Sequence, residues 1–160
     1  MSYFRVIAAS AVLAALSGCQ IKTSYYQKQV AIPKASWSSS YQPTFKIDIR
    51  DTATAYKASL LLRHDEAYPF SNIWLRMKVK APGEKTFSEG TRIEKTLANE
   101  DGTWLGRGMG GIWEERIPIP SREMPKFNRT GVYEIKLEQL MRKDPLPSVM
   151  NIGIRIERAE

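Results

Sequence analysis

The stretch of residues 56–80 alternates apolar and polar side chains twice, and this pattern constrains the fold more than any other feature of the chain. The two apolar sets are Tyr56, Ala58, Leu60 and Leu62, then Ile73, Leu75, Met77 and Val79. A period of two is typical of half-buried β-strands. The polar connection at residues 63–72 contains a proline and is too short for a helical crossover, so we expect two antiparallel neighbours that share one apolar face.

The rest of the chain repeats this pattern in shorter pieces. Alternating segments occupy residues 45–49, 91–97, 112–119, 130–137 and 152–156. Pro118 indicates that the segment at residues 112–119 is an edge strand. No long segment shows the 3.6-residue apolar stripe of an amphipathic helix. We therefore expect an all-β fold, a single antiparallel β-sandwich of about seven to eight strands over residues 36–160.

The N-terminal segment has the features of a secretory signal. Arg5 precedes an apolar run at residues 6–16, and small residues stand directly before Cys19, the only cysteine. Since the run is shorter than the roughly 20 residues that span a bilayer, we expect a signal peptide at residues 1–18. Its Leu-Ser-Gly-Cys ending resembles the bacterial lipobox, which implies that Cys19 carries fatty acyl chains such as palmitate. Residues 19–35 are expected to form the lipidated N-terminus and a polar tether.

The chain is basic, with a formal net charge of +7. A basic surface favours anionic lipid headgroups, an acidic polymer or an acidic protein as a partner. The lysines and arginines are scattered through the strands, which argues against a nucleic-acid partner. With one cysteine the chain forms no internal disulfide, so its stability has to come from its core.

Few residues offer catalytic or metal-binding chemistry. His64 is the only histidine and lies beside Asp65 and Glu66. A zinc site needs three or four ligands and a nucleophilic triad needs an activated nucleophile, and neither pattern is present. We therefore interpret His64 as part of a hydrated polar turn and expect no enzyme activity, no metal and no cofactor. One catalytic alternative, a carboxylate pair for glycoside cleavage, stays open among Asp48, Asp51, Asp65, Glu66, Glu114 and Glu115.

Glycines and aromatic residues are more informative. Residues 102–111 contain five glycines. They lack the Gly-Lys-Ser/Thr ending and the helix of a phosphate-binding loop, so the glycines are expected in turns and at close backbone approaches. We expect at least three of the four tryptophans, Trp37, Trp74, Trp104 and Trp113, in the core or between the sheets. Trp74 is out of phase with its apolar neighbours and should face the opposite side of its strand.

The order of several motifs resembles a known family. The lipobox precedes Phe-x-Ile-x-Ile at residues 45–49, Leu-Arg-His at residues 62–64, Tyr-Pro-Phe-Ser-Asn-Ile-Trp-Leu at residues 68–75 and Gly-x-Trp-Leu-Gly-x-Gly-x-Gly at residues 102–110. This order is similar to that of the GldH family of gliding motility lipoproteins from Bacteroidetes, and the resemblance covers nearly the whole chain. It implies a component needed for gliding, and it gives only Cys19 a defined role.

We expect a membrane-anchored envelope lipoprotein that acts as a non-catalytic interaction module for other gliding or envelope proteins. The candidate interaction surface consists of Arg63, His64, Tyr68, Asn72, Trp74, Trp104 and Arg107. Residues 20–24 contain no acidic residue, which favours an outer-membrane anchor that faces the periplasm. The alternative is a carbohydrate- or peptidoglycan-binding sandwich that uses the tryptophans. The sequence indicates no particular small-molecule ligand.

Overall fold

The computed structural model describes residues 25–159. This part of the chain contains eleven β-strands and one short 3₁₀ helix, Pro33–Ala35. The strands are β1 (Tyr25–Ala31), β2 (Ser36–Trp37), β3 (Thr44–Ile49), β4 (Tyr56–Asp65), β5 (Asn72–Lys80), β6 (Thr91–Thr96), β7 (Arg107–Met109), β8 (Ile112–Ile119), β9 (Gly131–Gln139), β10 (Leu146–Pro147) and β11 (Val149–Arg158). None of the described residues forms a helix long and apolar enough to cross a membrane.

Two antiparallel sheets form a sandwich. The five-stranded sheet has the order β1-β11-β4-β8-β7, the four-stranded sheet has the order β3-β9-β5-β6, and β10 pairs with β2 in a small third sheet. The inner faces of the two large sheets share one apolar core, whose largest fully buried side chains include Trp37, Phe45, Leu60, Ile73 and Tyr133. The predicted all-β antiparallel sandwich is confirmed.

The sandwich has more strands than the seven or eight expected. The additional ones are β1, β2, β7 and β10, which are short or lie at a sheet edge. An edge strand buries little of its surface, so its sequence alternates weakly: in β1 only Tyr26 and Val30 are partly buried. Because β1 pairs with β11 along its whole length, residues 25–35 belong to the folded domain. The predicted tether of residues 19–35 was therefore too long.

The expected pairing of β4 with β5 is wrong. β4 pairs with β11 and β8 in the five-stranded sheet, whereas β5 pairs with β6 and β9 in the other sheet. The connection crosses from one sheet to the other, so the two apolar faces oppose each other across the core. An alternating pattern defines which face of a strand is buried and does not define its neighbour.

The edge-strand prediction for Pro118 is confirmed. The short strand β7 pairs only with residues 112–114 of β8. The remainder of β8, including Pro118, is paired on one side only, with β4. Proline, which has no backbone N–H to donate, is tolerated on such an unpaired side.

The two ends of the sandwich are named here for residues that lie in them. The Tyr25 end comprises Tyr25 and residues 50–57, 81–90, 120–130 and 158–159. The His64 end comprises His64 and residues 32–43, 65–71, 97–106 and 140–148. The register of β4 and β11 shows this arrangement. Tyr56 at the start of β4 pairs with Arg158, and His64 near the end of β4 pairs with Val149.

Candidate functional site

The structure separates the seven candidate surface residues into three groups. Arg63 and Arg107 lie on the outer face of the five-stranded sheet, His64, Tyr68 and Trp104 lie together at the His64 end, and Asn72 and Trp74 lie on the outer face of the four-stranded sheet. His64 and Tyr68 are only 0% and 4% exposed. These two residues therefore cannot form part of a contact surface in the folded domain, which corrects the prediction for them.

His64 is the centre of an aromatic cluster, which also includes Tyr68 and Trp104. The ring centroids of His64 and Trp104 are 4.5 Å apart, and those of His64 and Tyr68 are 5.3 Å apart. The Tyr68 hydroxyl donates to the carbonyl of Asn72 at 3.0 Å, and burial raises the pKa of the Tyr68 phenol. The interpretation of His64 as a hydrated turn residue is wrong because β4 extends to Asp65, and His64 has the same phase as Leu60 and Leu62.

Glu115 is a second buried polar residue in this cluster, and its burial was not among the predictions from the sequence. It is 6% exposed and pairs across the sheet with Leu62. Glu115 points to the same side of β8 as the buried Ile117. This alternation is the feature of the sequence that indicates the burial of Glu115. The distance from Glu115 Oε1 to His64 Nε2 is 3.9 Å, and neither atom has a hydrogen-bond partner among residues 25–159.

The tautomer of His64 follows from its backbone contact. The Nδ1 atom of His64 lies 2.8 Å from the carbonyl oxygen of Asp65. A carbonyl only accepts, so Nδ1 carries the hydrogen and, in a neutral imidazole, Nε2 is an acceptor. An ionised Glu115 also presents acceptors only. A proton on either group would allow a hydrogen bond between them, and without that proton two acceptors face each other in the interior.

The glycine-rich segment covers this cluster. A Cβ atom at Gly106 would collide with the Glu115 carboxylate, and one at Gly108 would come within 2.5 Å of the Trp113 ring. The prediction of close backbone approach is confirmed. Gly110 and Gly111 have φ of 61° and 76°, the conformation of a two-residue hairpin turn between β7 and β8. This hairpin carries Met109, which is 88% exposed.

The expectation of three buried tryptophans is wrong. Trp37 is fully buried and Trp104 packs against the core, but Trp74 and Trp113 lie outside it and are partly exposed. Trp113 takes the space left by Gly108 at the short edge strand. The prediction that Trp74 faces away from its apolar neighbours is confirmed, since Ile73 and Leu75 are buried on either side of it.

Six residues around Trp74 form what we call the Trp74 surface: Phe70, Asn72, Trp74, Arg92, Met141 and Arg142. They line a cavity of about 450 Å³. The Arg92 guanidinium lies 5.1 Å from the centroid of the Trp74 ring, and the Arg142 guanidinium lies 5.3 Å from that of Phe70. The Asn72 side-chain amide donates to Glu94 at 2.7 Å. Cation–π contacts of this kind hold the two arginines over aromatic rings.

The two arginines of the Trp74 surface differ from the neighbouring basic residues of β5. Arg76 and Lys78 both contact Glu138, and Lys80 contacts Glu134. Within residues 25–159, neither Arg92 nor Arg142 has a carboxylate within 4.0 Å. A guanidinium binds carboxylates in a bidentate manner and stacks on planar groups. The Trp74 surface therefore combines apolar area with two cations that are available to an acidic partner.

The outer face of the five-stranded sheet is polar and its charges are mostly paired. Arg63 lies 3.6 Å from Glu114, and Glu157 accepts from both Arg116 and Arg155. The nearby arginines lower the pKa of the Glu157 carboxyl. Arg107 lies beside this network and is exposed.

The remaining candidates can be located only in part. Cys19 lies outside the described residues. No group of three or more His, Cys, Asp or Glu residues in the described part could hold a metal ion. Of the six carboxylates considered for glycoside cleavage, Asp48 and Asp51 lie near the Tyr25 end, while Asp65, Glu66, Glu114 and Glu115 lie at or near the His64 end. The structure therefore divides the six candidates for a carboxylate pair between the two ends of the sandwich.

The fold and site define an antiparallel β-sandwich domain with a partly exposed surface that contains aromatic residues and arginines. The family model described as GldH lipoprotein matches residues 24–156. The chain therefore belongs to the GldH lipoprotein family and is a membrane-anchored lipoprotein of the cell envelope. The family resemblance noted from the sequence is confirmed.

Two relatives cover most of the chain. A gliding motility lipoprotein GldH homolog from Christiangramia forsetii is 28% identical over 131 residues, which are 78% of this chain and 78% of the relative. The gliding motility lipoprotein GldH of Flavobacterium johnsoniae is 27% identical over 133 residues, which are 79% of this chain and 80% of the relative.

Among solved structures, matches occur to capsid particles of infectious bursal disease virus. A viral particle structure matches with a TM-score of 0.31 and 12% identity over 87% of this chain, and the VP2 subviral particle matches with a TM-score of 0.30 and 17% identity over 87%. The chain spans about a third of the length of these viral chains, 34% and 36% respectively.

Proposed function

We propose that this protein is a gliding motility lipoprotein whose sandwich binds other protein components of the motility or secretion-linked machinery. Its acylated Cys19 holds it in the outer membrane, with the domain facing the periplasm. In this proposal the domain is a non-catalytic interaction module, and the Trp74 surface is its contact site. The names of the two relatives support the link to gliding, and the lipobox supports the anchor.

The observation that carries the proposal is the composition of the Trp74 surface. Tryptophan and arginine are the residues most enriched among the energetic centres of protein interfaces. Here Trp74 and Phe70 each stand under an arginine, around a cavity of about 450 Å³. Such a site fits a partner segment with an apolar side chain next to a carboxylate, because the cavity takes the first and the guanidinium groups bind the second.

The second candidate is binding of carbohydrate or peptidoglycan, which Trp74 also favours because indole rings stack on sugar rings. A sugar needs an open face of the indole. In this domain the Arg92 guanidinium lies over the Trp74 ring, so it competes for the face that a sugar would use. This contact makes a protein partner the better supported candidate.

The experiment is an affinity capture from detergent-solubilised envelopes, with the captured proteins identified by mass spectrometry. The baits are the wild-type chain, Trp74→Ala, Arg92→Ala and Cys19→Ala. We expect the wild type to recover specific motility or secretion components, and both surface variants to lose them at least tenfold. The matched control is Tyr41→Ala, another partly exposed aromatic residue, which should capture as well as the wild type.

Two outcomes would contradict this proposal. The first is recovery of the same components by Trp74→Ala and the wild type, which would exclude the Trp74 surface as the contact. The second is retention of the domain on purified peptidoglycan, lost in Trp74→Ala, without recovery of any envelope protein. That second outcome would make glycan binding the leading function.

A further inference from the structure

The end of the sandwich that carries Tyr25 has to lie close to the lipid anchor. Tyr25 is the sixth residue after Cys19, and six residues of fully extended chain span at most about 20 Å. The ten residues of β4 extend about 33 Å from one end of the sandwich to the other. The reach of the linker is therefore shorter than the sandwich. This step rests on the anchoring at Cys19 proposed above.

The two ends also differ in charge. The segments that form the Tyr25 end contain seven lysines and arginines and four aspartates and glutamates. The segments of the His64 end contain three lysines and arginines and five aspartates and glutamates. The end that the linker holds near the membrane is thus basic, and the opposite end is slightly acidic. An anionic surface attracts the first and repels the second.

The basic side chains of the Tyr25 end are well exposed. The side chains of Arg50 and Arg122 are 87% and 85% exposed. Lys57, Lys126 and Arg129 are exposed as well, and none of the three has a carboxylate within 4.0 Å in the described part of the chain. Their charge is therefore available to an external anion.

The connection between β8 and β9, residues 120–130, presents three of these basic residues from a fixed position. The Phe127 ring packs edge-on against Tyr56 at 5.4 Å and against Tyr133 at 5.0 Å. Lys95 forms an ion pair with Glu123 at 3.1 Å. Because the connection is held against the core in this way, its backbone loses little conformational freedom when the basic side chains meet a surface.

We propose that the Tyr25 end is a membrane-docking surface that rests on the anionic phospholipid headgroups of the leaflet that holds the acyl chains. The acyl chains supply attachment, and the basic end fixes the orientation of the domain. Tyr25 itself is 37% exposed, with the Arg155 guanidinium 3.6 Å from its ring, and tyrosine is common at the headgroup level of membranes. The Trp74 surface, which adjoins the His64 end, then faces away from the bilayer.

The first test is chemical modification of lysines in the acylated mature protein, reconstituted into vesicles. One set of vesicles contains phosphatidylcholine alone, and the other contains phosphatidylcholine with phosphatidylglycerol. We expect Lys57 and Lys126 to react several-fold more slowly in the anionic vesicles, and Lys34 and Lys143 at the His64 end to react equally in both. High salt should remove the difference by screening. Equal protection of both pairs, or of neither, would overturn the proposal.

The second test isolates the electrostatic part of binding. It uses the mature chain with Cys19→Ala, which carries no acyl chain, and measures co-sedimentation with the same anionic vesicles. Each basic residue near an anionic leaflet strengthens binding about fivefold, so the pair Lys57→Gln and Lys126→Gln should weaken binding on the order of 30-fold. The matched pair Lys34→Gln and Lys143→Gln removes the same charge from the other end and should leave binding unchanged. A similar loss from both pairs would overturn the proposal.

These two tests distinguish a failure of the docking surface from a failure of the proposed function. If Cys19 is not acylated, the protein does not float with the vesicles of phosphatidylcholine alone, and the anchor fails. If the Trp74 surface is not the partner site, the capture experiment fails while the protection of Lys57 and Lys126 persists. Flotation with equal lysine reactivity at both ends contradicts the docking surface alone.

Discussion

Trp104 and Trp74 are both partly exposed, yet they serve different parts of the molecule. Trp104 lies over His64 at 4.5 Å and packs against the core, whereas Trp74 lies on the outer face of β5 under Arg92. The neighbours of Trp104 are buried, and those of Trp74 border an open cavity. The comparison indicates that similar exposure does not imply a similar role: Trp104 packs against the fold, and Trp74 is the residue that we propose for recognition.

The largest expected effect is on stability, from Trp104→Ala. The change removes an indole that covers His64 and Tyr68, so we expect the free energy of unfolding to fall by about 3 kcal/mol. Urea denaturation followed by far-UV circular dichroism measures this. The control is Trp104→Phe, which keeps an aromatic ring and should lose less than half as much. A loss below about 1 kcal/mol in Trp104→Ala would mean that this residue belongs with Trp74 as a surface tryptophan.

The alternation of the chain predicted which faces are buried, and this is why the core could be read from the sequence. The outward position of Trp74 followed from its phase alone. His64 has the inward phase of β4 as well, but its polarity and its acidic neighbours suggested a turn. Burial of a histidine depends on contacts with Tyr68 and Trp104, which are distant in sequence, and no local pattern contains them.

Strand partners and edge strands could not be predicted in the same way. The chain between β4 and β5 is long enough for a hairpin and for a crossing between sheets, and only packing of the whole core selects the crossing. The strand β1 has few buried residues, so it lacked an apolar pattern. The Trp74 surface was missed in part for a related reason, because Arg92, Met141 and Arg142 come from segments that show no aromatic motif.

The next effect concerns His64 and Glu115, the buried polar pair beside Trp104. Glu115→Gln replaces a carboxylate by an amide whose N–H can donate to Nε2 of His64, so we expect the free energy of unfolding at neutral pH to rise by about 1 kcal/mol. Thermal and urea denaturation measure the change. The matched control is Glu114→Gln in the neighbouring position, whose side chain is 65% exposed, and it should change stability by less than about 0.5 kcal/mol. Destabilisation by Glu115→Gln would show that the carboxylate has a partner that the amide cannot replace.

A smaller, pH-dependent effect is expected at the His64 end from Asp144. The Ser39 hydroxyl, the Ser39 backbone N–H and the Gln139 amide donate to this carboxylate and hold the pKa of Asp144 below its ordinary value of 3.8. A lowered carboxyl pKa stabilises the fold above the ordinary value, and this contribution is lost as the pH falls through the folded value. We therefore expect stability to decline below about pH 4.

The variant Ser39→Ala tests the origin of that decline. It removes the hydroxyl contact, which is the largest cause of the lowered pKa of Asp144. We expect a small loss of stability at pH 7 and a flatter dependence of the unfolding midpoint on pH below about pH 4. An unchanged slope would assign the acid sensitivity to other carboxylates, with Glu157 beside Arg155 as the first to examine.

The smallest expected effect on stability comes from changes at the Trp74 surface, in contrast to the large effect expected of Trp104→Ala. Trp74→Ala and Arg92→Ala should each lower the free energy of unfolding by no more than about 1 kcal/mol, since an exposed cation–π pair contributes about 0.5–1 kcal/mol. In the double variant the two losses should overlap, and a double-mutant cycle measures this coupling. Partner capture should nevertheless be lost in Trp74→Ala. A loss of stability as large as that of Trp104→Ala would instead make Trp74 a structural residue, and the loss of capture in that variant would then report unfolding rather than a missing contact.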